Sequence, residues 1–142
     1  MRTLIILLTL LLISCQANSE ENKIAIVIHG GAGTILKKNM TPELESAYLQ
    51  KLEEAVKVGY QILKNGGSSQ SAVEKTIKIM ENSPLFNAGV GAVLTNDEKV
   101  SLDASFMEGA NLNAGAIAGS MYVKNPISAA ISVMEDSPHV LL

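Results

Sequence analysis

A short apolar run, Ile24-Ala25-Ile26-Val27-Ile28, is followed at once by the glycine-rich stretch His29-Gly30-Gly31-Ala32-Gly33. A run of that length bounded by turn residues predicts a strand over Lys23–Ile28 that delivers a loop at its end. The loop continues through Met40. The next pattern has another period. Leu44, Ala47, Tyr48, Leu52, Ala55, Val56, Tyr60 and Leu63 recur at steps of three and four, which predicts a helix burying that face. Thr41-Pro42-Glu43 starts it, with a hydroxyl at the N-cap, proline at the first helical position and an acid in the first turn. Asn65-Gly66-Gly67 stops it. A second helix runs from about Ser69 to Met80, with Ala72, Val73, Thr76, Ile77 and Met80 along one side. Ser71 with Glu74 offers a capping-box pattern there, and Ser68 and Ser69 are the alternative caps.

From Gly91 onward the pattern is that of strands. Ala92–Thr95 and Val100–Met107 are predicted strands joined by the turn Asn96-Asp97-Glu98-Lys99, and small-residue-rich Ala114–Val123 is another, packed closely on both faces. Asn125-Pro126 opens a helix through about Met134. The order strand, two helices, strands, helix fits an α+β arrangement better than a regular βαβ alternation.

The chain begins differently. Met1-Arg2 is positively charged, and Leu4–Ile13 is apolar apart from Thr9. Such a stretch is too short to span a hydrocarbon core of about 30 Å but suits the core of a signal peptide. Leu12-Ile13-Ser14-Cys15 resembles a bacterial lipoprotein cleavage site. On that reading residues 1–14 are removed, Cys15 is lipidated, residues 15–22 form a polar tether, and the domain occupies residues 23–142. Several acyl chains would hold the protein stably at a membrane, where one would bind only marginally. The expected location is then the periplasmic face of a bacterial membrane, with a lipid anchor and no transmembrane helix. The simpler alternative is an ordinary secretory peptide with an incidental cysteine. Cys15 is the chain's single cysteine and has no disulfide partner within it.

Without residues 1–14 the chain keeps 128 residues, with ten basic against fourteen acidic side chains. That is enough for one domain with a modest core. A slightly acidic surface without basic clusters argues against a nucleic-acid partner. No histidines and carboxylates fall at a metal-binding spacing.

Two glycine-rich runs flank the helical pair: His29–Gly33, and Leu85-Phe86-Asn87-Ala88-Gly89-Val90-Gly91-Ala92-Val93. In this order and spacing they resemble the N-terminal part of the plant-type asparaginase and isoaspartyl peptidase family. Leu102–Gly109, Asn113–Gly119 and Asn125–Ala130 extend the resemblance from about Ile24 to the end. The family consists of N-terminal-nucleophile (Ntn) hydrolases, made as one precursor and cut into two subunits. The resemblance implies the first half of a four-layer αββα sandwich and a dimer of alpha–beta units. It implies hydrolysis of L-asparagine and of isoaspartyl (β-aspartyl) dipeptides, with no organic cofactor. The attacking group would be a threonine freed at the start of the second subunit, whose own amine serves as base. That threonine, and the residues that hold the substrate's charged groups, would lie in the C-terminal beta-subunit portion beyond Leu142. Gly33-Thr34 is the one glycine–threonine step present, and cutting there would detach the first strand from the domain.

Within the chain, the resemblance places Asn87 close to the catalytic threonine. An amide that can both donate and accept suits a group near a reacting carbonyl. The competing role for Asn87 is capping the turn into Ala88-Gly89. The resemblance also implies a sodium-binding loop, with the backbone carbonyls of Met80, Glu81, Ser83, Phe86, Ala88 and Val90 as ligands. Carbonyl oxygens suit a hard cation and make few demands on the side chains; a metal-free loop is the alternative. His29 is either a general base or, more simply, a strand-end histidine that holds the site-shaping turn of Gly30, Gly31 and Gly33. His139 is read as structural. A serine hydrolase would need a GxSxG elbow, which is absent. Gly89-Val90-Gly91 lacks the third glycine of a dinucleotide loop. An exported lipoprotein that binds a ligand without turnover remains the alternative from another class.

Overall fold

The computed structural model describes residues 23–31 and 36–142. Cys15, the leader, the tether, Gly33 and Thr34 lie outside the described residues. Helix α1 spans Pro42–Lys64, with Thr41 as N-cap accepting from Leu44 N through its hydroxyl. Its C-terminus closes on Asn65: Gly66 N donates to Leu63 O and Gly67 N to Ile62 O, which satisfies carbonyls that a helix end leaves open. A short turn leads into α2, Ser69–Glu81, capped by Ser68, whose hydroxyl accepts from Ser71 N at 3.1 Å. The two helices form a hairpin. Gly59 of α1 is the close-approach point, since an added Cβ there would run into Thr76 of α2 and Ile26 of the N-terminal segment. Two members of the expected α1 face, Leu44 and Tyr60, are exposed instead. Leu44 lies in the first turn of the helix, and Tyr60 follows Gly59 on the side turned away from α2.

Strands β1 (Leu102–Met107) and β2 (Ala114–Ser120) pair antiparallel, with an irregularity between Leu102 and Ala104. Helix α3, Pro126–Asp136, lies across one face of this hairpin. Phe106, Ile127, Ala130 and Ile131 form the core there, with Val73 and Ile77 of α2 packed against them. Ile127, 1% exposed, is the largest fully buried side chain. Such burial contributes about 1.5–3 kcal/mol. At its edge Ser128 donates to Glu74 at 2.7 Å, which holds the Glu74 carboxyl below its ordinary value.

The architecture is α+β, and the strand expectations need correction in four places, the simplest being that β1 begins at Leu102 rather than Val100. Lys23–Ile28 has a strand's alternation, with Ile24, Ile26 and Ile28 half-buried and Val27 92% exposed, but it pairs with no strand among the described residues. Ladder hydrogen bonds define a strand, and an apolar run does not carry its own partner. Ala92–Thr95 reduces to one bridge, Leu94 to Val100. Strand β2 stops at Ser120 rather than Val123. Conversely, residues 140–142 run parallel beside β2, with Ala116 N donating to Val140 O and Leu142 N to Ala116 O. The sequence analysis left that segment unassigned.

Candidate functional site

The segment from Glu81 to Val93 leaves the end of α2 and folds back on itself. Phe86 anchors it, 4% exposed and packed edge-to-face on Tyr48 of α1 with ring centroids 5.8 Å apart. Gly89 has φ +51 and lies against the Glu81 carbonyl, where a Cβ would collide with backbone. Gly91 lies in the same way against the carbonyls of Pro84 and Phe86. A buried Ser83 hydroxyl accepts from Leu85 N at 3.3 Å. The loop therefore closes by backbone approach and local hydrogen bonds.

Asn87 sits at the rim of this loop, exposed, with its Oδ1 accepting from Val93 N at 2.9 Å. Because a backbone N–H can only donate, this contact also settles which way the amide faces. Its Nδ2 has no partner among the described residues, so the group is left with donors to offer. Asn87 thus serves as a turn-holding side chain, reaching Val93 rather than capping the turn into Ala88-Gly89, and its Nδ2 is not committed to that contact.

A cavity of about 350 Å3 opens beside it, lined by Glu81, Asn87, Thr95, Ser101, Asp103 and the α3 residue Pro126, among others. Its size is at the small end for a ligand site. One Asp103 oxygen is taken by Gly119 N at 2.7 Å.

The first glycine run approaches from the other side. A Cβ on Gly30 would lie 3.3 Å from Leu52 and 3.5 Å from Phe86, while His29 and Ala88 line a common apolar hollow. The two runs are thus brought together through Phe86 and Ala88. His29 accepts from Gly31 N at its own Nδ1 over 3.1 Å, across the turn where Gly31 has φ +122. That contact favours the turn-holding role over that of a base.

The cation loop can be judged by its carbonyls. Those of Met80, Phe86 and Ala88 already accept: Met80 from Asn82 N and Ser83 N, Phe86 from Ala88 N and Ala88 from Gly91 N. Those of Glu81, Ser83 and Val90 accept no backbone hydrogen bond among the described residues. Carbonyls without a backbone donor are the kind of oxygen that a hard cation takes. Among the described residues no three His, Cys, Asp or Glu side chains gather as a metal site.

The sequence model of one family, described as Asparaginase, matches residues 22–142. The chain belongs to this asparaginase family. It is 51% identical over 119 residues to the plant-type L-asparaginase of Pyrococcus furiosus, covering 84% of this chain and 37% of that relative. To the isoaspartyl peptidase of Salmonella typhimurium it is 48% identical over 121 residues, covering 85% of this chain and 39% of the relative. The corresponding figures for the isoaspartyl peptidase of Escherichia coli are 45% over 120 residues, 84% and 37%. The chain spans less than two-fifths of the length of these relatives.

In this asparaginase-family chain the Glu81 side chain, and not only its carbonyl, belongs to the loop's construction. Glu81 is 3% exposed. Its Oε1 accepts from Ile127 N and its Oε2 from Asn125 Nδ2, each at 2.9 Å. Asn125 precedes α3 as its N-cap yet makes no side-chain cap bond to its own helix. A buried acid at the end of one helix is a signal that sequence can give; the identity of its partner, 46 residues away, is not.

Proposed function

We propose that residues 23–142 provide the N-terminal part of a threonine-nucleophile amidohydrolase that cleaves L-asparagine and isoaspartyl dipeptides. The nucleophile would come from sequence corresponding to the remainder of the relatives. The observation that carries this reading is identity at about half of the aligned positions with proteins named plant-type L-asparaginase and isoaspartyl peptidase. In the proposed reaction the terminal amine takes the proton of the threonine's own hydroxyl, and the hydroxyl oxygen attacks the carbonyl. The C–N bond breaks, ammonia or an amino acid leaves, and water hydrolyses the resulting ester. The free Nδ2 donor of Asn87 suits the negative charge that develops on the carbonyl oxygen. A sodium ion held by the carbonyls of Met80, Glu81, Ser83, Phe86, Ala88 and Val90 would stiffen the loop that carries Asn87. The four-layer sandwich and a dimer of alpha–beta units belong to the same proposal.

The test is release of ammonia from L-asparagine and of free aspartate from an isoaspartyl dipeptide. The complete gene product is expected to release both, more slowly and with a lower melting temperature in sodium-free buffer. The 142-residue chain alone is expected to release neither. Binding without turnover by the complete product, or turnover by the 142-residue chain, would contradict the proposal.

Attachment to a membrane through Cys15 is proposed on the leader's pattern alone, Leu12-Ile13-Ser14-Cys15. Labelled palmitate should enter the wild type and not Cys15→Ala when the gene is expressed in bacteria. Equal labelling of the two would refute the anchor.

A further inference from the structure

We infer that Glu81 is a positioning residue for Asn87, setting the Glu81–Val93 loop against the first turn of α3; the catalytic part of this inference rests on the amidohydrolase reading above. The last residue of α2 faces in two directions. Its side chain is withdrawn from solvent, and both carboxylate oxygens accept from the start of α3, one from Ile127 N and one from Asn125 Nδ2. Its carbonyl is the surface against which Gly89 closes the loop.

No cation pairs with this carboxylate among the described residues. An unpaired buried acid is costly unless its charge is otherwise matched. Here the match is the positive end of a helix whose first open N–H it accepts. Helix α3 lies across the β-hairpin, so this contact references the loop to the sheet. Glu81, Asn87 and Pro126 also line one cavity, so a shift of Glu81 moves the loop at the place where Asn87 offers its donor. Sodium ligation by the Glu81 carbonyl does not require a carboxylate at this position; the contact with α3 does.

The donor–acceptor pattern suggests the experiment. In Glu81→Gln the shape is kept, but the negative charge at the helix start is lost and a carboxamide NH2 faces Asn125, which can accept from it only by turning its own amide over. Adding Asn125→Asp restores both the pairing and the negative charge at the helix start. In the complete gene product, Glu81→Gln should lower hydrogen-exchange protection of the Val93 amide, which Asn87 holds, by about tenfold, and the double variant should recover it. Turnover on L-asparagine, measured well below the melting temperature, should fall about tenfold with KM within twofold. In an Asn87→Ala background the same change should lower turnover no further. A purely stabilising cap would move the melting temperature without these signatures. Asn125→Ala, which removes one donor and leaves α3 intact, should also lower Val93 protection and decides the matter if Glu81→Gln does not fold.

Unchanged Val93 protection in the folded variant, or an equal loss of turnover in the Asn87→Ala background, would overturn the inference. A wild type without turnover would remove the amidohydrolase reading, while the exchange measurement would still decide whether Glu81 positions the loop.

Discussion

The two glycine-rich runs differ in what holds them. The Glu81–Val93 loop is closed from within: Phe86 is buried on Tyr48, Gly89 rests on the Glu81 carbonyl, and Asn87 holds Val93. The His29–Gly31 turn stands at the end of an extended segment with no strand partner among the described residues; His29 holds Gly31, and Gly30 rests on Leu52 and Phe86. The Glu81–Val93 loop is built by its own neighbours in sequence and by two helices. The His29–Gly31 turn has no ladder among the described residues to fix it. A site assembled from both therefore has one rigid wall and one wall held by side-chain packing.

Substituting the glycines separates the two cases. At Gly89 the residue needs φ +51 and a Cβ would strike the Glu81 backbone, which cannot yield as a flexible side chain can. Gly89→Ala should cost about 3–4 kcal/mol, lowering the melting temperature of a product as long as its relatives by roughly 5 °C. Gly31 also has a positive φ, +122, but nothing among the described residues lies within 4 Å of an added Cβ. Gly31→Ala should therefore cost only its backbone strain, about 1–3 kcal/mol. His29→Ala removes one exposed hydrogen bond and should cost about 0.5 kcal/mol. Thermal melts of the three variants check this order; a Gly31→Ala variant less stable than Gly89→Ala would reverse the assignment of the rigid wall.

The same contrast explains what could be read from the sequence. The helix boundaries were legible because capping is local: Thr41, Ser68 and Asn65 act on residues within four positions of themselves. The runs that become β1 and β2 were legible as strands, but their pairing was not: the short turn at Asn96–Lys99 pointed to a hairpin of Ala92–Thr95 with Val100–Met107 instead. The fate of Lys23–Ile28, the strand-like placement of residues 140–142 and the grip of Glu81 on Ile127 were not legible, since each depends on a distant partner. The family resemblance pointed to Asn87, but the commitment of its Oδ1 to Val93 N was not legible.

The most direct test of the loop as a catalytic wall is steady-state turnover of Asn87→Ala in the complete gene product, with its melting temperature measured alongside. Losing a donor at a developing oxyanion costs about 2.7–4 kcal/mol, a factor of roughly a hundred to a thousand in turnover. Losing the contact to Val93 at an exposed site costs about 1 kcal/mol. The account predicts a turnover loss of that order with a melting temperature lowered by a few degrees. Full activity in Asn87→Ala, or a variant that fails to fold, would contradict it.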